Sequence, residues 1–313
     1  MKVVFIPTGR TEWHGLPGTM RRLFPDHEMH VLPAPEAVES FGERFPYDGF
    51  TSTTLSALQE PPEGAIALVE IAAQAALGDR RVEAADLVLV LDDLELGNSG
   101  QPEVVTEVFR KAVRKHLTDL SSKTTIQDKT RDALLDRVSF HLLAPMVEAL
   151  FFCHEAALQA CGVPGESPVL LVEGRDPEAF ETGDGAYLAA TAEDCPAWSA
   201  LPPNRRRKHR PKWLLERSPR ARHPKGYIQW LCRDGADGSC TTYSESEHGG
   251  AALAGLDWSF LGRCPDEHLQ FARALLRDME ERLGPSTVGP VQGVESPVTG
   301  LFTRRSDPVL RNL

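Results

Sequence analysis

The chain has 313 residues, of which 41% are hydrophobic and 25% are charged, and its net charge is −11. These are globular values, which exclude a collagen-like, fibrous or wholly disordered chain. No apolar run approaches the roughly 20 residues that a membrane span requires, and the first run is too short for a signal peptide, so we expect a cytoplasmic protein without a membrane partner.

Strands and helices alternate through the first half of the predicted structure. A continuous apolar run predicts a buried strand at Val3–Pro7, and Ala85–Leu91 is apolar on both faces, as central strands of a parallel sheet are. Met29–Leu32 and Val138–Leu143 are two further strand candidates. Helix-forming or amphipathic patterns predict helices at residues 12–24 and at Ala65–Leu77, Pro102–Leu117 and Pro145–Cys161. The alternation predicts an α/β fold, with a mostly parallel sheet flanked by helices.

The character of the chain changes after Gly162. We expect one domain over residues 1–165, in which 34–62 is an irregular insertion, and a smaller α+β region over 166–313. In the second region we predict strands at Val169–Val172 and Tyr227–Leu231 and an amphipathic helix at Pro265–Leu283. The cysteines are scattered without a Cys-x-x-Cys pair, which argues against disulfides and structural zinc.

Acidic side chains follow three of the predicted strands. Asp92, Asp93 and Glu95 come directly after the third strand, Glu12 follows the first, and Glu148 follows the fourth. Ligands bind at the carboxyl ends of the strands in such sheets, and Mg²⁺ prefers carboxylate oxygens. The pattern therefore predicts a site for Mg²⁺ or Mn²⁺, held by Asp92, Asp93, Glu95 and Glu148.

Each acid also has a plainer interpretation, which stays open at this stage. Acids after a strand often cap the next turn. Glu148 is the only charged residue at the start of an apolar predicted helix. A carboxylate buried there needs a partner, but an acid in the first turn of a helix is also common. Glu12 follows Thr11 at the start of a predicted helix, where Thr and Glu are typical of helix capping.

A basic segment interrupts the acidic chain at residues 203–225. Between Asn204 and Lys225 the charge is +9, so the remainder carries −20. The basic candidates for holding a phosphate backbone, together with a histidine that follows later, are Arg205, Arg206, Arg207, Lys208, Arg210, Lys212, Lys225 and His248. A solvated loop, or for His248 an ordinary turn, is the alternative.

Five segments together resemble the TOPRIM superfamily of topoisomerases, primases and related nucleases. They are Ile6–Glu12, Leu91–Glu95, Met146–Phe151, His223–Tyr227 and Tyr243–Gly249. The chain looks most like small TOPRIM-like proteins that are encoded beside ATPases in bacterial phage-defence loci. The resemblance implies a Rossmann-like TOPRIM domain at 1–165.

Two departures from the family pattern bear on activity. Thr8 stands where the family has its first glutamate, and a threonine is not ionised near neutral pH. Glu245 stands where the family has a lysine. Either Glu12 substitutes for the missing glutamate, or the site is degenerate.

The resemblance implies a Mg²⁺-dependent nuclease of an anti-phage defence system. Glu12 and Asp93 are then the catalytic residues. The implied partners are nucleic acid, with DNA favoured over RNA, a partner ATPase and a second copy of the chain. The alternative is a catalytically degenerate subunit that docks on, or senses, the partner ATPase.

Overall fold

A computed structural model gives the positions of most of the chain. It describes residues 1–34, 49–121, 123–165, 168–170, 173–206, 210–214, 219–233, 240–291 and 307–313. Much of the predicted insertion at 34–62 lies outside these residues. The rest of it includes a short 3₁₀ turn at Phe50–Ser52.

The sheet of the described chain has four parallel strands in the order β2-β1-β3-β4. The strands are β1 (Lys2–Pro7), β2 (Glu28–Val31), β3 (Leu87–Asp93) and β4 (Val138–Leu143). In the register, Ile6 pairs with Val90 and Asp93 pairs with Leu143. The predicted parallel α/β sheet is confirmed, and its two central strands are buried on both faces.

Helices cover both faces of this sheet. The helices of the first half are α1 (Arg10–Leu23), α2 (Glu63–Leu77), α3 (Pro102–Asp119) and α4 (Thr124–Arg137). One face, which includes Val4 and Val90, packs on α2, α3 and α4, and the other, which includes Phe5 and Leu91, packs on α1 and the second half of the chain. None of the described helices is long and apolar enough to cross a bilayer.

The described part of the second half is helical or irregular. Its helices are α5 (Glu155–Ala160), α6 (Gly185–Ala189), α7 (Pro196–Ser199), α8 (Pro203–Arg206), α9 (Pro224–Leu231), α10 (Gly250–Gly255) and α11 (Gln270–Leu283). The remaining turns are 3₁₀ segments at Val147–Cys153, Pro177–Ala179, Ala192–Asp194, Arg220–Arg222 and Trp258–Gly262, and a π-helical turn at Glu245–Gly249.

Three predictions for this half need correction. The expected strand at Tyr227–Leu231 belongs to α9, because Pro224 occupies the first turn and the His223 ring accepts a hydrogen bond from the Gly226 backbone. Val169 and Leu170 form no strand, and 171–172 lie outside the described residues. The helix expected at Pro145–Cys161 is instead a 3₁₀ segment, Val147–Cys153, followed by α5.

A disulfide joins Cys195 to Cys240, so the expectation of no disulfide is wrong for this pair. Their Cα atoms lie 5.8 Å apart, within the usual range for a disulfide, and both side chains are buried. The two cysteines are 45 residues apart in the chain. A spacing of that length carries no pairing signal in a sequence.

Residues 307–313 cover the outer edge of β4. The Asn312 side chain accepts a hydrogen bond from the Phe140 N–H at 3.0 Å and donates one to the Phe140 carbonyl at 2.8 Å. The Arg311 N–H donates to the Val138 carbonyl at 2.9 Å, and Leu310 and Leu313 are buried in the core. The segment thus satisfies backbone groups that an edge strand leaves unpaired.

We expect Asn312→Ala to destabilise the fold by about 2 kcal/mol, since it leaves a buried N–H and a buried C=O of Phe140 unpaired. Urea unfolding followed by circular dichroism measures this loss. Asn204→Ala, at an exposed position, is the matched control and should have little effect. Equal midpoints for wild type and Asn312→Ala would show that these hydrogen bonds carry no net stability.

Candidate functional site

The ends of β1, β3 and β4 lie side by side. The Thr8 N–H, just after β1, donates to the Leu91 carbonyl at 3.1 Å, and the Leu94 N–H, just after β3, donates to the Leu143 carbonyl at 2.8 Å. This arrangement brings the acids that follow the three strands to one edge of the sheet, as the sequence predicts.

Asp93 is the last residue of β3 and lies on the face that packs against α1. Its Oδ1 accepts a hydrogen bond from the Val147 N–H at 2.9 Å, which fixes the carboxylate at the start of the 3₁₀ segment. Burial, followed by the negative charges of Glu12 and Glu148, raises the pKa of Asp93 well above its usual range. Asp93 therefore shares its surroundings with two other carboxylates.

Glu12 lies in the first turn of α1 and is almost wholly buried. Its carboxylate folds back over Gly9, where an added Cβ would come within 2.8 Å of the Glu12 Cδ and would displace the carboxylate. Burial, assisted by the negative charge of Glu148, raises the pKa of Glu12 to about 8. The side chain thus lies against the start of α1 and is close enough to Glu148 to be affected by its charge.

Glu148 lies in the 3₁₀ segment and is 2% exposed. Its Oε1 accepts a hydrogen bond from the Tyr243 hydroxyl at 3.2 Å, and the Thr11 hydroxyl lies at 3.5 Å. Burial raises the pKa of Glu148, and the positive charge of Lys225 opposes that rise. Glu148 is therefore a buried carboxylate with hydroxyl partners, unlike a solvent-exposed acid at the start of a helix.

Lys225 supplies positive charge to the acidic edge. Its Nζ lies 2.6 Å from Glu245 Oε1. Burial alone would lower the pKa of Lys225, but the negative charges of Glu148 and Glu245 outweigh it and raise the pKa above its ordinary value. The ammonium group therefore stays charged while it faces these acids.

Asp92 and Asp93 are neighbours on β3, so their side chains point to opposite faces of the sheet. Asp92 is 1% exposed, its Oδ1 accepts a hydrogen bond from the Thr8 hydroxyl, and its Oδ2 accepts one from the Thr51 hydroxyl at 3.1 Å. Burial raises the pKa of Asp92 to about 7. The structure thus gives Asp92 two hydroxyl partners on the other face from Asp93.

Glu95 lies just beyond β3 with a φ of 60°, and its N–H donates to the Pro145 carbonyl at 2.8 Å. Burial raises the pKa of Glu95, and Lys225 counters part of that rise. Glu95 and Asp93 line one cavity of about 290 Å³ together with Lys225. Glu12, Asp93, Glu95 and Glu148 are called the acidic edge below.

The ligand atoms of the acidic edge are of the type that a divalent cation prefers. Its four carboxylates supply the oxygen ligands that Mg²⁺ and Mn²⁺ take, and they outnumber the nearby positive charge of Lys225. In the described part of the chain, no three Asp, Glu, His or Cys side chains converge as a metal-binding group. Binding an ion therefore requires the glutamate side chains to turn toward Asp93.

The basic candidates fall into different places. Lys212 is exposed and lines the same cavity as Lys225. Arg205 and Arg210 are exposed, whereas Arg207 and Lys208 lie outside the described residues. His248 lies in the π-helical turn, where its Nδ1 accepts a hydrogen bond from the Ser244 N–H at 3.2 Å.

Arg206 is bound to its own segment. Its Nε and Nη2 donate to the Leu201 and Ser199 carbonyls at 2.9 and 2.7 Å, and its guanidinium lies 5.1 Å from the Trp198 ring centre. The guanidinium thus holds the turn between α7 and α8.

We expect Arg206→Ala to speed chymotryptic cleavage after Trp198 several-fold, because the turn loses hydrogen bonds and its cation–π contact. Arg205→Ala, the neighbouring exposed position, is the control and should leave the cleavage rate unchanged. Equal rates for the two variants would contradict a structural role for Arg206.

Several residues of this edge were not predicted as site residues. Tyr243, Glu245 and His223 lie in segments that carry the family resemblance, but Tyr243 and Glu245 acquire partners only through the fold. Thr51 lies in the predicted insertion, and no sequence signal connects it to Asp92. A search for polar residues late in the chain would have found Tyr243, though not its contact with Glu148.

No protein-family model, curated protein or solved structure matches this chain.

Proposed function

We propose that this chain hydrolyses phosphodiester bonds of nucleic acid with the help of Mg²⁺ or Mn²⁺. The observation that carries the proposal is the acidic edge, whose carboxylates lie near the carboxyl ends of parallel strands and close enough for their charges to raise the pKa of Asp93, with Lys225 nearby. The parallel α/β sheet and the order of the TOPRIM-like segments support the same reading. A role in anti-phage defence beside a partner ATPase rests on the family resemblance alone.

The residues divide into two roles. Asp93 and Glu148 would hold the cation, with Glu95 at the mouth of the cavity. A bound Mg²⁺ or Mn²⁺ supplies charge stabilisation at the phosphoryl oxygens and lowers the pKa of water. Glu12 orients the attacking water and takes its proton, and Lys225 holds a phosphate oxygen of the substrate.

A cleavage assay tests this proposal. Plasmid, linear and single-stranded DNA and RNA are incubated with the full chain in Mg²⁺ or Mn²⁺, and in EDTA. We expect cutting in either metal and none in EDTA. Glu103→Gln, at an exposed position on α3, should cut like wild type. Absence of cutting on every substrate, in a protein whose melting temperature ignores both metals, would refute the proposal.

The second candidate is a degenerate subunit that docks on a partner ATPase. The hydroxyl groups of Thr8 and Thr51 favour it, because they occupy both oxygens of Asp92 where the family resemblance implies a metal ligand. A cation-insensitive melt, an inactive chain and a stable complex with a co-encoded ATPase in gel filtration would together support this candidate. Metal-dependent cutting by the isolated chain would exclude it.

A further inference from the structure

The cavity beside the acidic edge has two chemically different walls. Its volume is about 290 Å³, and it is lined by Asp93, Glu95, Met146, Lys212, His223, Lys225 and Gln229. The acids come from the end of β3, whereas the cations and His223 come from the second half of the chain. One ligand can therefore meet carboxylates on one side and ammonium groups on the other.

The cationic wall suits a phosphate. Lys225 is 28% exposed at the cavity while its Nζ contacts Glu245, and Lys212 is exposed at the same cavity. His223 accepts a hydrogen bond at Nδ1 from the Gly226 N–H, so its neutral ring carries a proton on Nε2. Two ammonium groups and an N–H donor are the partners that phosphate oxygens prefer.

The size of the cavity limits what enters it. Its volume lies near the lower end of the roughly 300–1,000 Å³ range of small-molecule sites. A cavity of this size has room for one nucleotide but not for an intact duplex.

We propose that this cavity binds a single phosphorylated nucleotide, with its phosphate at Lys212 and Lys225 and its sugar and base against Met146 and Gln229. The bound unit is the end of a strand or an unpaired nucleotide. The proposal that a strand end binds here rests on the proposed nuclease function. The proposal that a nucleotide binds here does not depend on that function.

Calorimetric titration of the full chain in EDTA tests nucleotide binding. The probes are 5′-deoxyadenosine monophosphate and deoxyadenosine, which differ only in the phosphate. We expect the nucleotide to bind at least tenfold more tightly than the nucleoside, and Lys212→Glu to weaken nucleotide binding at least tenfold. Lys129→Glu, at an exposed position on α4, is the matched charge reversal and should leave binding unchanged.

The proposal is overturned if the nucleoside binds as tightly as the nucleotide, or if Lys212→Glu and Lys129→Glu have equal effects. Because Lys212 is exposed, its substitution should leave the fold intact, and a melting curve of each variant checks this.

Competition distinguishes a strand end from a free nucleotide. The labelled probe is a 5′-phosphorylated single strand, and the competitors are the mononucleotide and a covalently closed duplex without ends. If the mononucleotide displaces the labelled strand and the closed duplex does not, the result supports a strand-end site. If the mononucleotide binds but no strand competes with it, the cavity is a site for free nucleotides and the strand-end part of this inference fails, whereas the nuclease proposal is decided by the cleavage assay. If strands are cut yet the mononucleotide never competes, the nuclease proposal stands and this inference fails.

Discussion

Replacing Asp93 with asparagine is expected to lower the rate of metal-dependent cleavage by at least about 100-fold. Loss of a residue that merely orients a metal ligand costs about 10–100-fold, and in the proposed function Asp93 binds the ion itself. Asparagine has the same shape and can still accept the hydrogen bond from the Val147 N–H, so the fold should survive. Initial rates on a single-stranded DNA substrate in Mn²⁺ measure the effect.

The matched control is Asp92→Asn on the neighbouring position of β3. Because Asp92 lies on the other face between Thr8 and Thr51, we expect a smaller loss of rate than for Asp93→Asn. The two variants should bind the substrate with wild-type salt dependence, since neither removes a phosphate contact. An Asp93→Asn protein that cuts at the wild-type rate would remove Asp93 from the catalytic site.

Replacing Glu12 with glutamine is expected to stabilise the metal-free protein at high pH. The folded-state pKa of Glu12 is about 8, above its ordinary value of 4.5, so the folded chain holds a proton that the unfolded chain has lost. Stability therefore falls as the pH rises from about 5 to about 8, and the full penalty acts above that range. Glutamine has no proton to lose and escapes the penalty.

In EDTA at pH 9 we expect Glu12→Gln to exceed wild type in unfolding free energy by at least about 2 kcal/mol, or roughly 3 °C or more in melting temperature for a chain of this length. At pH 4 the two proteins should melt nearly together, because Glu12 is largely neutral in both the folded and the unfolded wild type. Glu70→Gln, at an exposed position on α2, should follow wild type at both pH values. A Glu12→Gln protein that is less stable than wild type throughout this range would show that the carboxylate is not under repulsion.

The strands were predictable because their signal is local. Strands β1 and β3 are largely apolar segments, and β3 agrees with its predicted position to within two residues at each end. Helix α4 was missed because its sequence is highly charged and its hydrophobic pattern is weak. The region Tyr227–Leu231 is apolar enough for a strand, and its helical state depends on capping by His223 and on burial in the second half of the chain.

The acidic edge was only partly predictable, for a geometric reason. Glu12, Asp93 and Glu148 come together because parallel strands end at one edge of a sheet, and this follows from the order of elements. Because successive side chains of a strand point to opposite faces of the sheet, the sequence also predicts that Asp92 and Asp93 lie on different faces. The contacts of Glu148 with Tyr243 and of Lys225 with Glu245 join distant parts of the chain and have no local signal.

Calorimetric titration of Mn²⁺ into the full chain at pH 8 tests the central claim, that the acidic edge holds a divalent cation. We expect saturable Mn²⁺ binding by wild type and Glu103→Gln, and at least a tenfold loss of Mn²⁺ affinity in Asp93→Asn and Glu148→Gln. Absence of saturable binding in wild type, or equal affinity in all four proteins, would contradict it.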